Sequence, residues 1–166
     1  PAALSYPMNM KKYNWGYRAE AEPNLYGRSL ICPRGKGLGG SSSINGMIYV
    51  RGHPQDFDNW STKGASSWSF ADVLPYFKKM ECCESRQSAW RGKNGPIHIK
   101  TAEQKNVLHK IFSDAAIQCG YSFTEDYNGY KQEGIGAAEM TVHKGKRWST
   151  APVSYTHLRA HETLSY

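Results

Sequence analysis

The chain has 166 residues, of which 39% are hydrophobic, enough for one ordinary domain with a buried core. It carries 21 basic and 14 acidic residues, a net charge of +7 that suits a polyanionic partner, whether a dinucleotide cofactor, a nucleic acid or an acidic membrane face. No apolar run reaches the roughly 20 residues of a membrane span, and the 4 cysteines are too few for a disulfide framework, which favours an intracellular setting.

Residues 1–30 are polar and aromatic without a helical or strand period, which indicates extended chain packed on a larger body. Because the chain opens at Pro1 rather than at a methionine, we expect an internal piece of a longer polypeptide. From Gly27 to Gly52 the composition changes to glycine and serine, which favours a loop that lies close to a ligand.

Two helices are predicted after this segment. Ser69 and Asp72 have the spacing of a capping box before apolar residues at helical intervals, which predicts a helix over 70–83 that Pro75 bends or shortens. A second helix is predicted from Gln104 to Cys119, with Gly120 placed to end it. Its apolar face is expected to pack in the core and comprises Val107, Leu108, Ile111, Phe112, Ala115, Ala116 and Cys119.

Short strands complete a chain that mixes α and β structure. Residues 95–99 alternate like a strand, and residues 140–143 and 146–149 flank Lys144 and Gly145 as a β-hairpin would. The adjacent Cys82 and Cys83 are interpreted as buried thiols at a helix end and are given no function.

The run from Arg34 to Gly46 is suited to hold an anion close to the backbone. If residues 41–43 open a helical turn, the free amides there favour a pyrophosphate, while Arg34 and Lys36 add positive charge. The spacing matches neither the P-loop nor G-x-G-x-x-G, so the residues alone support a ligand-binding loop and a structural loop about equally.

The stretch from Gly35 to Asp58, GKGLGGSSSINGMIYVRGHPQDFD, resembles the first signature of the glucose-methanol-choline (GMC) oxidoreductases. The stretches PAALSYPMNMKKYNWGYRAEAEP, LPYFKKMEC, GPIHI and GYSFTEDYNGYKQEGIGAAEMTVHKGKRWSTA are similar to that family in order and spacing. The resemblance covers Pro1 to Ala151. Residues 152–166 depart from the family pattern and are interpreted as a foreign, poorly ordered tail.

The resemblance implies an α/β (mixed α+β) fold. Residues 1–104 correspond to part of a Rossmann-type FAD-binding domain with a glycine-rich flavin loop at 34–58, and residues 105–151 to the start of a substrate domain. FAD is expected to be held non-covalently, because Ile44 stands where some members carry a flavin-linking histidine. The residues expected to bind FAD are Arg34, Gly35, Lys36, Gly39, Gly40, Ser41, Asn45, Gly46, Met47 and Ile48.

The family chemistry is oxidation of an alcohol, in which a histidine base takes the proton and hydride passes to flavin. That base is expected beyond residue 166, and the dinucleotide motif before Pro1, so no catalytic residue is assigned and the isolated chain is expected to be inactive. His157 and His161 lack the carboxylate of H-E-x-x-H, and no metal ligand is assigned.

Choline is the leading candidate for the alcohol, with no nucleic acid as partner and no assigned electron acceptor. A choline-oxidising member would be mitochondrial or associated with a bacterial membrane. One alternative is another GMC member, such as an aryl-alcohol or sugar oxidase or dehydrogenase. The other is a basic, aromatic-rich module that binds nucleic acid, since stacking bases and neutralising phosphates needs that composition.

Overall fold

The structure is a computed structural model that describes residues 5–86 and 88–155. The described residues divide into two units, one formed by residues 5–47 with 144–155 and the other by residues 48–86 with 88–143. Residues 156–166, most of the predicted tail, lie outside the described residues, as do His157 and His161. The predicted boundaries at residues 104 and 151 stay predictions.

The first unit is built mostly from loops and short elements. Strand β1 (Tyr17–Arg18) pairs in antiparallel orientation with strand β2 (Ile31–Cys32), and Tyr17 lies opposite Cys32. Its elements are helix α1 (Ser5–Met8), strand β1 (Tyr17–Arg18), a 3₁₀ turn (Pro23–Leu25), strand β2 (Ile31–Cys32), a second 3₁₀ turn (Gly40–Ser43), strand β7 (Lys146–Arg147) and a π-helical turn (Ala151–Tyr155).

The second unit contains three helices and a small mixed sheet. The sheet has the order β3-β4-β5, with β3 parallel and β5 antiparallel to β4. Its elements are helix α2 (Pro54–Thr62), helix α3 (Phe70–Met80), strand β3 (Glu81–Cys83), strand β4 (Ile97–Thr101), helix α4 (Val107–Gln118), strand β5 (Glu139–Met140) and strand β6 (Val142–His143). The predicted mixture of α and β structure is confirmed.

Helix α3 begins where the capping box predicts. The Ser69 hydroxyl accepts from the Asp72 amide at 3.3 Å, and the Asp72 carboxylate accepts from the Ser69 amide at 3.1 Å. The predicted end at residue 83 is wrong. Glu81 has extended backbone angles, φ −94° and ψ 140°, and starts β3, whose pairing with β4 overrides the helical pattern.

Three further local predictions are confirmed: the strand at 95–99, the hairpin turn and the helix end at Gly120. Cys82 and Cys83, predicted at a helix end, lie instead in strand β3. The strand predicted at 95–99 is β4, which runs from Ile97 to Thr101. Lys144 and Gly145 have φ values of 48° and 74°, as a type I′ hairpin turn requires. Gly120 follows α4 with φ 89°, the left-handed conformation that ends helices.

The prediction that the apolar face of α4 packs in the core is wrong for this chain. Val107 and Leu108 are each 67% exposed, and Phe112 is 68% exposed. Helix α4 contains no buried residue, although its length, its Asn106 cap and its terminating glycine agree with the sequence pattern. The pattern therefore identified the helix correctly but not what lies against it.

Charged side chains, rather than apolar ones, fill the centre of the second unit. Arg91 donates to Glu81 at 2.7 Å, to Glu139 at 2.8 Å and to Asp126 at 2.6 Å. Arg51 donates to the other oxygen of Glu81 at 2.6 Å. The side chains of Arg91 and Glu81 are both 0% exposed, so each charge depends on the others for compensation. These four ion pairs are called the buried ion network below.

A small apolar cluster of Tyr49, Cys83 and Ile99 accompanies this network. Within the described residues the Tyr49 hydroxyl has no hydrogen-bond partner, and burial raises the pKa of Tyr49 from 10.0 to about 12. Since the folded chain resists ionisation of this phenol while the unfolded chain does not, its contribution is complete below pH 10 and is lost as the pH rises toward 12.

We therefore expect Tyr49 ionisation to lower the free energy of unfolding by about 2 kcal/mol between pH 10 and pH 12, at 1.36 kcal/mol per pKa unit. Tyr49→Phe should remove this part of the alkaline loss, while Tyr26→Phe, at a residue that is 96% exposed, should not. Urea unfolding of the three chains across this pH range measures the difference. Equal alkaline losses in the original chain and in Tyr49→Phe would contradict the expectation.

Across the described residues, no helix has the length and apolar character needed to cross a membrane.

Candidate functional site

The glycine-rich segment, defined here as residues 34–47, is held along one side by residues 13–15. The Asn14 side-chain oxygen accepts from the Arg34 amide at 3.0 Å, and Asn14 forms a β-bridge with Gly35. The Trp15 amide donates to the Arg34 carbonyl at 3.0 Å, and the Lys36 amide donates to the Tyr13 carbonyl at 2.8 Å. These backbone bonds fix the start of the segment.

Gly35 is required by the chain's own packing. A Cβ atom at this position would lie 2.1 Å from the Gly40 carbonyl oxygen, a distance that no side chain tolerates. The Gly35 amide also donates to the Ser41 hydroxyl at 3.1 Å. Gly35 therefore closes the loop on itself, and its predicted role toward a ligand stays a prediction.

The predicted helical turn at residues 41–43 is present as a short 3₁₀ turn, Gly40–Ser43. Gly39 and Gly40 enter it with φ values of 86° and 53°, which favour glycine. The Ser42 hydroxyl donates to the Gly39 carbonyl at 2.5 Å, and the Ser43 hydroxyl to the Leu38 carbonyl at 2.8 Å. These two serines therefore shape the turn.

Several backbone amides of the turn are available to an acceptor. Among residues 5–86 and 88–155, no protein acceptor is found for the amides of Leu38, Gly39 and Ser41. Leu38 and Ser41 are exposed. Free amides close together at a glycine-rich turn can bind an anionic group.

Arg147 and Thr150, which the sequence analysis did not single out, brace the turn. Arg147 donates to the Asn45 carbonyl at 2.7 Å, to the Asn45 side-chain oxygen at 2.8 Å and to the Ser42 carbonyl at 3.2 Å. The Thr150 amide donates to the Ser42 hydroxyl at 3.0 Å. Both residues lie in the stretch KGKRWSTA of the resemblance, but no sequence spacing connects them with residues 42–45.

Arg34 and Lys36, the two cations predicted to bind FAD, lie at the start of the glycine-rich segment. Arg34 is exposed, and its guanidinium donates to the Pro33 carbonyl at 2.7 Å. The ammonium of Lys36 lies 4.8 Å from the centre of the Trp15 ring, a cation–π distance. Both positive charges therefore belong to the glycine-rich segment itself.

A surface cavity of about 510 Å³ borders the segment. Residues 6–13 line one side of it and residues 36–44 the other. Its lining combines aromatic and apolar groups with the ammonium groups of Lys12 and Lys36. Ligand sites commonly have this size and this mixture of apolar walls with a few charges.

The end of the segment alternates between buried and exposed residues. Met47 is 5% exposed, has φ 62° and donates its amide to the Asn45 side chain at 3.0 Å. Gly46 is exposed, and a Cβ atom there would meet nothing within 4 Å, whereas the side chain of Ile48 is 56% exposed. The backbone at Gly46 is therefore open to a flat ligand, while Met47 is turned into the protein.

Four histidines lie in the described part of the chain. His53 caps α2 by accepting from the Gln55 amide at 3.2 Å. The ring of His109 lies 3.5 Å from the Ser113 hydroxyl, and the rings of His98 and His143 stack with centres 3.7 Å apart. That the catalytic base lies outside this chain stays a prediction.

The GMC oxidoreductase family model matches residues 18–159 and so extends past Ala151. The chain is 58% identical over 151 residues to an oxygen-dependent choline dehydrogenase of Brucella melitensis, covering 91% of this chain but only 28% of that relative.

Solved structures show the same fold. Pyridoxine 4-oxidase from Mesorbium loti is 30% identical, with a TM-score of 0.87 over 95% of this chain and 31% of its own. Formate oxidase of Aspergillus oryzae is 27% identical, with a TM-score of 0.80 over 93% of this chain and 28% of its own. The chain belongs to the GMC oxidoreductase family.

Proposed function

We propose that this chain supplies the flavin-facing segment of an FAD-dependent oxidoreductase that acts on alcohols, with choline as the leading substrate. The observation that carries the proposal is the open backbone of the glycine-rich segment in a chain of this family. Its Brucella relative is named a choline dehydrogenase, and the Aspergillus oryzae structure concerns FAD modification in formate oxidase. No relative or solved structure favours the nucleic-acid alternative.

The segment fits a dinucleotide in two respects. The free amides at Leu38, Gly39 and Ser41 suit a pyrophosphate, and Lys36 adds a full positive charge beside them. Each hydrogen bond to a charged group contributes about 1.5–3 kcal/mol. The open backbone at Gly46 allows a flat ring to approach without a side chain between them.

FAD, when bound, accepts the hydride that leaves the alcohol carbon. The chain's own contribution is to position the cofactor, because Arg147 and Thr150 hold the turn rigid before any ligand arrives. Ile44, which is 6% exposed, has no nucleophilic atom, so we propose that the flavin is attached without a covalent bond at this position.

The test uses the chain in its complete open reading frame. The purified protein should show a flavin absorption spectrum that bleaches when choline is added without oxygen, and acid precipitation should release all of the flavin. Folded protein without flavin would contradict the proposed function. Bleaching by an aryl alcohol or a sugar but not by choline would retain the flavoenzyme and replace the substrate. Yellow colour in the acid precipitate would contradict non-covalent attachment.

A further inference from the structure

Strands β3 and β4 bring together metal-ligating side chains outside the glycine-rich segment. Cys82 on β3 is the direct register partner of His98 on the parallel strand β4. Partners in neighbouring strands lie side by side on the same face of a sheet. Successive residues of a strand point to opposite faces, so Cys83, which is 0% exposed, packs with the apolar cluster on the other face.

Glu84 completes this group, since it follows Cys82 by two residues. The Cys82 sulfur, a Glu84 carboxylate oxygen and a His98 ring nitrogen all lie within 4.8 Å of one another. Zinc bonds of about 2.0–2.3 Å require slightly shorter separations, which small rotations of the three side chains can supply. The His143 ring, stacked on His98 at 3.7 Å, restricts the orientation of that imidazole.

The chemistry of these ligands selects one class of ion. A thiolate, an imidazole and a carboxylate together favour zinc or cobalt over calcium or magnesium, which take oxygen ligands. Cys82 is buried and Glu84 exposed, so the group reaches from the protein interior to solvent. We propose that Cys82, Glu84 and His98 bind one divalent ion of the zinc type, with water as the remaining ligand.

The test is a titration of the full 166-residue chain with Zn²⁺, and with Co²⁺ as a spectroscopic substitute. We expect one ion per chain and a thiolate-to-cobalt charge-transfer band. Cys82→Ser should abolish the band, because serine keeps the shape but lacks the thiolate. Glu84→Gln and His98→Gln should each weaken Zn²⁺ binding by about tenfold or more, since losing even an outer-shell partner of a metal ligand typically costs that much and these two residues are direct ligands.

Cys119→Ser is the matched control, since Cys119 is an exposed cysteine on another element, and it should leave the band unchanged. Circular dichroism of every variant distinguishes a loss of Zn²⁺ binding from a loss of folding. Glu84→Gln is the substitution least able to disturb the fold, because Glu84 is exposed. The proposal is overturned if the folded original chain shows no band, if the band survives in Cys82→Ser, or if Glu84→Gln binds Zn²⁺ as tightly as the original.

Discussion

Replacing Arg91 with methionine should lower the free energy of unfolding by about 3–5 kcal/mol, the usual loss when one partner of a buried ion pair is removed. Arg91 is the only described cation that contacts both Glu81 and Glu139 within 3 Å. Without it Glu139, which is 1% exposed, keeps among the described side chains only the Asn128 amide at 2.8 Å and a distant Arg86 at 3.6 Å. A buried carboxylate with so little compensation strongly destabilises the folded state.

Lys110→Met provides the matched control, because it also removes one cation from an ion pair. Lys110 is 74% exposed and pairs with Asp114 four residues later on α4. Loss of this ion pair should therefore lower the free energy of unfolding by about 0.5 kcal/mol or less. Urea unfolding at pH 7 measures both variants. A loss below about 1 kcal/mol in Arg91→Met would mean that water reaches the buried ion network, contrary to its burial here.

The second large effect concerns Gly46 in the complete protein. Gly46→Val should weaken flavin binding by about tenfold or more, since a forced overlap of 1–3 kcal/mol corresponds to about one power of ten or above. The free chain has nothing within 4 Å of a Cβ atom at this position, so folding should be unaffected. Flavin titration of the apoprotein, with unfolding measured in parallel, separates the two quantities.

Gly35→Ala should behave differently, because its Cβ atom overlaps the Gly40 carbonyl and damages the loop itself. Stability and flavin binding should therefore fall together in that variant. Ala65→Val, which adds methyl groups at an exposed position outside residues 34–47, should change neither. Unchanged flavin affinity in Gly46→Val would contradict the prediction that the backbone at Gly46 faces the cofactor.

The sequence predicts local features well where a few neighbouring residues determine them. Ser69 and Asp72 are three positions apart, and their reciprocal hydrogen bonds form as the capping pattern requires. The glycines at 39 and 40 occupy left-handed conformations, which glycine adopts readily because it has no Cβ atom.

Contacts between distant positions could not be predicted in this way. Arg91 and Glu139 are 48 residues apart, and Arg147 and Asn45 are 102 apart, so no spacing rule connects them. The Cys82, Glu84 and His98 group needs the β3–β4 register, which exists only after the chain folds. The exposure of α4 could not be predicted from the sequence either. An amphipathic pattern shows that one face of a helix is apolar, but not which residues cover that face.

The apolar face of α4 also governs how the chain behaves in concentrated solution. Exposed residues such as Leu108 and Phe112 form a surface on which two molecules can adhere, and the net charge of +7 at pH 7 opposes their approach. Added salt screens this repulsion, with a screening length of about 10 Å at 0.1 M. We therefore expect association of the chain to increase with added salt, so the Tyr49 titration requires low salt, dilute protein and light scattering as a check.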